Sequence, residues 1–103
     1  MYTFRRHIDR RRAVLAVLLA ARPESLSPAE IADRLRAQDV EPPDPKRLSD
    51  LLRNQVANGN VVKRGRATYA AGHLSRSTEW RVRNWRALAA GAASVQRVPV
   101  KYS

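Results

Sequence analysis

The chain has 103 residues, 44% of them hydrophobic, which suits one domain with a single core and argues against disorder throughout. It contains no cysteine, which removes disulfides, thiolate zinc sites and cysteine nucleophiles. Lys and Arg number 20 against 9 Asp and Glu, a formal net charge of +11, which favours a polyanionic partner, either nucleic acid or an anionic membrane surface. Arginine supplies 17 of the 20 bases; a GC-rich coding sequence would explain that preference but not the shortage of acids. The longest apolar run, 13–21, is too short to span a bilayer, and no convincing cleavage site follows it. The chain therefore reads as soluble and cytoplasmic, with no membrane partner.

Residues 1–9 read as a basic arm carrying Arg5, Arg6 and His7, or as a segment whose Tyr2, Phe4 and Ile8 lean on the core. Asp9 is a candidate cap for a helix over 10–22, where good helix formers run without Gly or Pro. Val14, Leu15, Leu18 and Leu19 share a side and Val17 widens the stripe, so this is the expected central helix. Arg10, Arg11 and Arg12 sit at its start, against the helix dipole; they are even candidates for phosphate contact or a solvated end. After a turn at Pro23-Glu24, Ser27-Pro28-Ala29-Glu30 is a strong helix start, with Ser27 as cap, Pro28 first and Glu30 completing a capping box. Leu26 and Ile31 are placed as a hydrophobic staple, and Ile31 and Leu35 as the buried side of a helix running to about 37.

Pro42-Pro43 ends a longer turn, and Asp44-Pro45 opens a third helix over 45–57. Leu48, Leu51, Leu52 and Val56 make its expected buried stripe; Lys46, Arg47, Ser49, Asp50, Arg53 and Asn54 remain on the outer arc. Asn58-Gly59-Asn60 closes it. A hairpin follows, with strands at 61–62 and 67–70 and Gly65 in its turn; Val62 and Tyr69 are expected inward and Lys63, Arg64 and Arg66 at the tip. A last helix is expected over 78–90, capped by Ser77 or Thr78 and ended by Gly91. Trp80, Trp85 and Leu88 on it are read as core or subunit-interface residues rather than base-stacking ones. The tail 95–103 is basic and expected to be flexible.

Enzyme signatures are missing from the sequence: there is no nucleophile–base pair, no glycine-rich phosphate loop and no carboxylate cluster. His7 and His73 lie apart without ligand-spaced partners, so neither a metal nor any other cofactor is expected, and no small-molecule ligand is inferred.

The order helix, capped helix, turn, capped helix, basic hairpin resembles the winged helix-turn-helix superfamily of DNA-binding domains found in many bacterial transcription regulators. The matching stretches are RAVLAVLLAAR (12–22), LSPAEIADRL (26–35), RLSDLLRNQVANGNVV (47–62) and KRGRATY (63–69). They cover 10–72, leaving 73–94 as an added helix for packing or dimerisation. The Pro42-Pro43 turn is longer than in compact members. The resemblance implies a three-helix core plus wing, with the recognition helix 45–57 in the major groove of double-stranded DNA and the wing 61–70 on the backbone or in the minor groove. It places Lys46, Arg47, Ser49, Asp50, Arg53, Asn54, Lys63, Arg64 and Arg66 at the duplex. The helix start at Ser27 could add backbone N–H groups to a phosphate. The leading expectation is a sequence-specific, nucleoid-associated and homodimeric transcriptional regulator. The alternatives are an architectural DNA-binding protein of low specificity and a protein-interaction module on the same fold.

Overall fold

The computed structural model describes residues 1–94; the tail 95–103, expected to be flexible, lies outside them. The described chain is mostly helical with one small antiparallel sheet: α1 (His7–Ala20), α2 (Pro28–Ala37), α3 (Pro45–Ala57), β1 (Val61–Lys63), β2 (Tyr69–Ala71), α4 (Arg76–Arg83) and α5 (Trp85–Ser94). None of these helices is long and apolar enough to cross a membrane.

The core forms around α1. Ala13, Val14, Leu15, Val17, Leu18 and Leu19 are all buried, so apolar side chains leave this helix in several directions and each direction needs a cover. Ile31 and Leu35 of α2, Leu48 and Leu52 of α3, Val61 of β1 and Val82 of α4 supply it, with Leu26 and Val40 between the elements.

α1 starts earlier than expected. Arg6 is its N-cap, with extended backbone and no side-chain bond, and Asp9 lies buried in the first turn instead of capping. The reason is upstream. Tyr2 N–H donates to the Asp39 carbonyl (2.8 Å) and Tyr2 C=O accepts from Glu41 N–H (2.9 Å), so the N-terminal residues run beside Val40. Phe4 and Tyr2 then pack edge-on (5.7 Å between centroids), which carries the chain straight into helix at His7. Of the two readings of 1–9, the structure has Tyr2 and Phe4 leaning on the core.

The two later helix starts follow the local chemistry closely. Ser27 Oγ accepts from Glu30 N–H (3.2 Å) while Glu30 Oε1 accepts from Ser27 N–H (2.8 Å), a complete capping box. Asp44 Oδ1 accepts from Arg47 N–H (2.9 Å), with Pro45 in the first turn. The buried stripe of α3 differs at its end. Val56 is 36% exposed and Gln55 is buried in its place. Gln55 tolerates burial because its Oε1 accepts from Asn60 Nδ2 (2.8 Å), so its polar end is satisfied by the chain that leaves the helix.

That exit also sets the hairpin register. Asn60 N–H donates to the Gln55 carbonyl (3.0 Å) and Asn60 C=O accepts from Gly72 N–H (2.8 Å). β1 and β2 therefore pair Val61 with Ala71, Val62 with Ala70 and Lys63 with Tyr69. Val61 turns inward and Val62, expected inward, is 41% exposed, because neighbouring residues of a strand face opposite sides and Val61 takes the core side. Tyr69 does pack on the core, and its backbone exchanges two hydrogen bonds with Leu26 (2.7 and 2.8 Å). Ala67, expected in the return strand, adopts φ +56° and belongs to the turn with Gly65 at φ +61°.

The single helix expected at the C-terminal end is two. Ser75, not Ser77 or Thr78, caps α4 by accepting from Thr78 N–H (3.2 Å). The break falls at Asn84, whose Nδ2 donates to the Trp80 carbonyl (2.8 Å). Gly91 does not end α5, which continues to Ser94. The break separates the tryptophans. Trp85 is 4% exposed and meets Tyr2 (5.4 Å) and Phe4 (6.0 Å), whereas Trp80 is 58% exposed.

Gly72 closes the hairpin onto the end of α3, and Arg22 at the end of α1 donates to its carbonyl (2.6 Å). A Cβ at Gly72 would lie 2.5 Å from the Gly59 carbonyl oxygen, backbone that cannot rotate away. Gly72→Ala is expected to destabilise the fold by about 1–3 kcal/mol. Gly91→Ala, where a Cβ meets nothing within 4 Å inside a helix, is expected to stabilise it by about 0.5–1 kcal/mol. Urea midpoints of the two variants would check both signs.

Candidate nucleic-acid interface

The outer face of α3 carries the residues expected there. Lys46, Arg47, Ser49, Arg53 and Asn54 are exposed and Asp50 is half-buried among them. Leu48, Leu52 and Gln55 point the other way, so the polar arc follows from the helical period. α3 packs on α2 and β1, while α4 and α5 pack on α1. The C-terminal helices therefore occupy the far side of the core, away from this arc.

The cations on the arc are not bare. Asp50 accepts from Lys46 Nζ (3.3 Å) through one carboxylate oxygen and from Arg53 Nη1 (3.1 Å) through the other. Asp44, the cap of the same helix, lies 3.4 Å from Arg47 Nε. Such exposed pairs contribute only about 0–1 kcal/mol each, so a stronger anion can replace them at small cost. Their effect is to hold Arg53 and Lys46 in defined orientations beside Ser49 and Asn54.

The hairpin tip is different. Lys63, Arg64 and Arg66 are exposed, and among the described residues no acidic side chain is within ion-pair distance of any of them. The turn is internally braced: Arg64 N–H donates to the Thr68 carbonyl (2.8 Å) and the Thr68 hydroxyl donates to the Arg64 carbonyl. The tip is thus a compact cationic knob, held to the core where Tyr69 pairs with Leu26.

Several expected site residues are placed otherwise. The start of α2 at Ser27 is already occupied: Glu30 folds back onto it, so a carboxylate sits where a phosphate was expected. Those hydrogen bonds from Ser27, backbone first and hydroxyl second, hold the Glu30 pKa below its ordinary value and keep it anionic there. Trp85, expected in the core or at a subunit interface, is a core residue because it closes an aromatic cluster with Tyr2 and Phe4. Leu88 is half-buried; Trp80 alone of the three is open to solvent.

Arg10, Arg11 and Arg12 do not act as one run. Arg10 Nη1 lies 3.1 Å from His7 Nδ1, and its guanidinium carbon is 5.9 Å from the centre of the Phe4 ring, which holds it against its own end of α1. It borders a cleft of about 590 Å³ shared with Arg36 and with Arg47 at the start of α3. Arg11 is exposed and Arg12 half-buried beside Arg81 of α4. Burial, then the charges of Arg11 and Arg81 and more distantly Arg6, pull the Arg12 pKa down, while Asp9 opposes them. Arg81 has no signal in the sequence that links it to Arg12; helix packing brings them together.

Among the described residues, no three His, Asp or Glu side chains are grouped to hold a metal ion.

The capping carboxylate makes a test of the fold beneath this surface. Because the folded-state pKa of Glu30 is lowered, its stabilisation is fully present above the unfolded-state pKa and is lost as pH falls through the folded value. The melting-temperature gap between wild type and Glu30→Ala is expected at neutral pH and should close under acid conditions. A gap independent of pH would mean that packing of the side chain, not its charge, is what matters.

No protein-family model, no curated protein and no solved structure gives a significant match to the chain, so its function must be argued from this geometry.

Proposed function

We propose that the protein is a winged helix-turn-helix protein that binds double-stranded DNA, with α3 as recognition helix in the major groove and the β1–β2 hairpin as wing on the backbone or in the minor groove. One observation carries this reading. An uncovered helix face with Ser49, Arg53 and Asn54 leads into a hairpin tip whose cations have no acidic partner among the described residues.

The division of labour follows from the chemistry. Lys63, Arg64 and Arg66 are suited to phosphates, which attract charge without regard to sequence. Arg53 is suited to a guanine edge, with Asp50 presenting it, and Asn54 to an adenine edge. Lys46 and Arg47 near the start of α3 suit flanking phosphates, exchanging their carboxylate partners for them. The reading favoured is sequence-specific transcriptional regulation by a homodimer, the solvent-facing Trp80 being a candidate contact between copies. A second reading, architectural binding of low specificity, draws on the cations away from α3, notably Arg11, Arg12 and Arg81. A third, protein interaction through Trp80 on the same fold, makes the α3 and hairpin cations irrelevant.

Selection of bound duplexes from a random pool at physiological salt separates these. A palindromic motif is expected, and retained affinity without a motif favours the architectural reading. Replacing Arg64 and Arg66 together by alanine should weaken binding to all sequences alike and reduce the salt slope by about 2. Arg53→Ala should instead relax preference at one base pair, by about 1–3 kcal/mol. Undiminished duplex affinity after replacing Arg53, Arg64 and Arg66 together would sink the DNA-binding proposal.

A further inference from the structure

A second cationic surface lies between α1 and α4. There a groove of about 390 Å³ is walled by Arg11 and Arg12 on α1 and Arg81 on α4, with Asn60 and Thr78 at its edge. The three guanidiniums come from two helices, and among the described residues none of them is within ion-pair distance of a carboxylate. Packing therefore brings Arg81 to two arginines that are already neighbours on α1, and burial first, then the charges of Arg11 and Arg81, lower the Arg12 pKa. A bound anion would relieve this. Neutral donors are also at hand: the Thr78 oxygen accepts from Ser75 Oγ (2.9 Å), which leaves its own proton available.

The groove does not belong to the α3 surface. Asn60 is tied to Gln55, on the buried side of α3, whereas Arg11, Arg12 and Arg81 stand on α1 and α4, which pack on each other.

We propose that the groove walled by Arg11, Arg12 and Arg81 is a phosphate site through which the protein holds a second nucleic-acid segment while α3 and the hairpin hold the first. The proposal rests on the DNA-binding reading for its first segment, and the groove itself is judged by a separate measurement. The protein is then a bridge between two stretches of duplex, each held by its backbone on one side at least.

Two arms test it on the full chain. In the first, inorganic phosphate is compared with chloride at matched ionic strength. Phosphate should raise the melting temperature of wild type and of the Arg64→Ala/Arg66→Ala variant. It should not raise that of Arg12→Gln/Arg81→Gln, which should itself melt higher in low salt because the repulsion is gone. Arg81→Gln alone, at an exposed position, provides a variant with minimal risk to folding. An equal phosphate effect in all proteins overturns the site. In the second arm, protein captured on an immobilised duplex is offered a labelled second duplex. Wild type should recruit it; Arg12→Gln/Arg81→Gln should still be captured but recruit less, with a salt slope smaller by about 2. Unchanged recruitment overturns the proposal, as does a phosphate effect without any recruitment, which leaves a small-anion site only. If instead replacing Arg53, Arg64 and Arg66 by alanine leaves capture intact, the first-segment reading fails while the phosphate arm still judges the groove.

Discussion

The constraint on which the rest depends is the burial of α1 on nearly all sides. A helix whose apolar residues include Val14, Leu15, Val17, Leu18 and Leu19 cannot lie at a surface. Each fully buried aliphatic side chain contributes about 1.5–3 kcal/mol, so every uncovered direction would forfeit a sizeable share of a small domain's stability. α2 and β2 cover it from one set of directions, α4 and α5 from others. The N-terminal segment adds a lid: Tyr2 and Phe4 seal the gap beside Trp85. With the far side of α1 taken up by the C-terminal helices, α3 is left with its inner face on the core and its outer face open. The exposed arc is thus a consequence of how the centre is filled.

Charge is then distributed by the same scaffold. Acids are too few to neutralise the cations, and those present are used locally. Asp33 pairs with Arg36 in α2, Asp50 with Lys46 and Arg53 in α3, and Glu79 with Arg83 in α4. These are pairs at three- and four-residue spacing, each modest in energy and dictated by helical geometry. Among the described residues, the cations left without an ion-pair partner include those at the hairpin tip and those lining the groove between α1 and α4. The two cationic surfaces therefore arise differently. The hairpin tip is cationic by sequence, since Lys63, Arg64 and Arg66 are neighbours in the chain. The groove is cationic by packing, since Arg12 and Arg81 meet only in three dimensions.

That difference explains what was legible in the sequence. Helix starts at Ser27 and Asp44 were legible because capping is a negotiation among residues within one turn. The outer arc of α3 was legible because period and polarity agree from Lys46 to Asn54. The hairpin's existence was legible from Gly65 and its basic turn, but its register was not. Register depends on Asn60 binding both Gln55 and Gly72, contacts that join the end of one element to the end of another. The tryptophans were likewise unassignable from periodicity, because the break at Asn84 resets the helix phase between them and the ring cluster that claims Trp85 comes from the opposite end of the chain. Arg10–Arg12 looked like a single basic run; a helix turns each residue by about 100°, so neighbours in sequence face different surroundings. The phosphate contact expected at Ser27 meets a competitor that the sequence already held, since the glutamate that completes the box accepts from Ser27 N–H.

The α3 surface also bears on how binding would discriminate. A face built only to attract phosphate would keep its cations free, as the hairpin tip does. On α3, Asp50 instead occupies both Lys46 and Arg53, which lowers the local potential and fixes two flexible side chains. Lower charge weakens the sequence-independent part of association, and fixed side chains lose less entropy when they engage a base edge. Both effects move the balance from attraction toward discrimination. The carboxylate itself adds to this: set against a backbone phosphate it repels, and set against a cytosine amino group it accepts a hydrogen bond. In the proposed DNA-binding reading the hairpin would supply grip and α3 choice, and Asp50→Ala would blur the distinction between them.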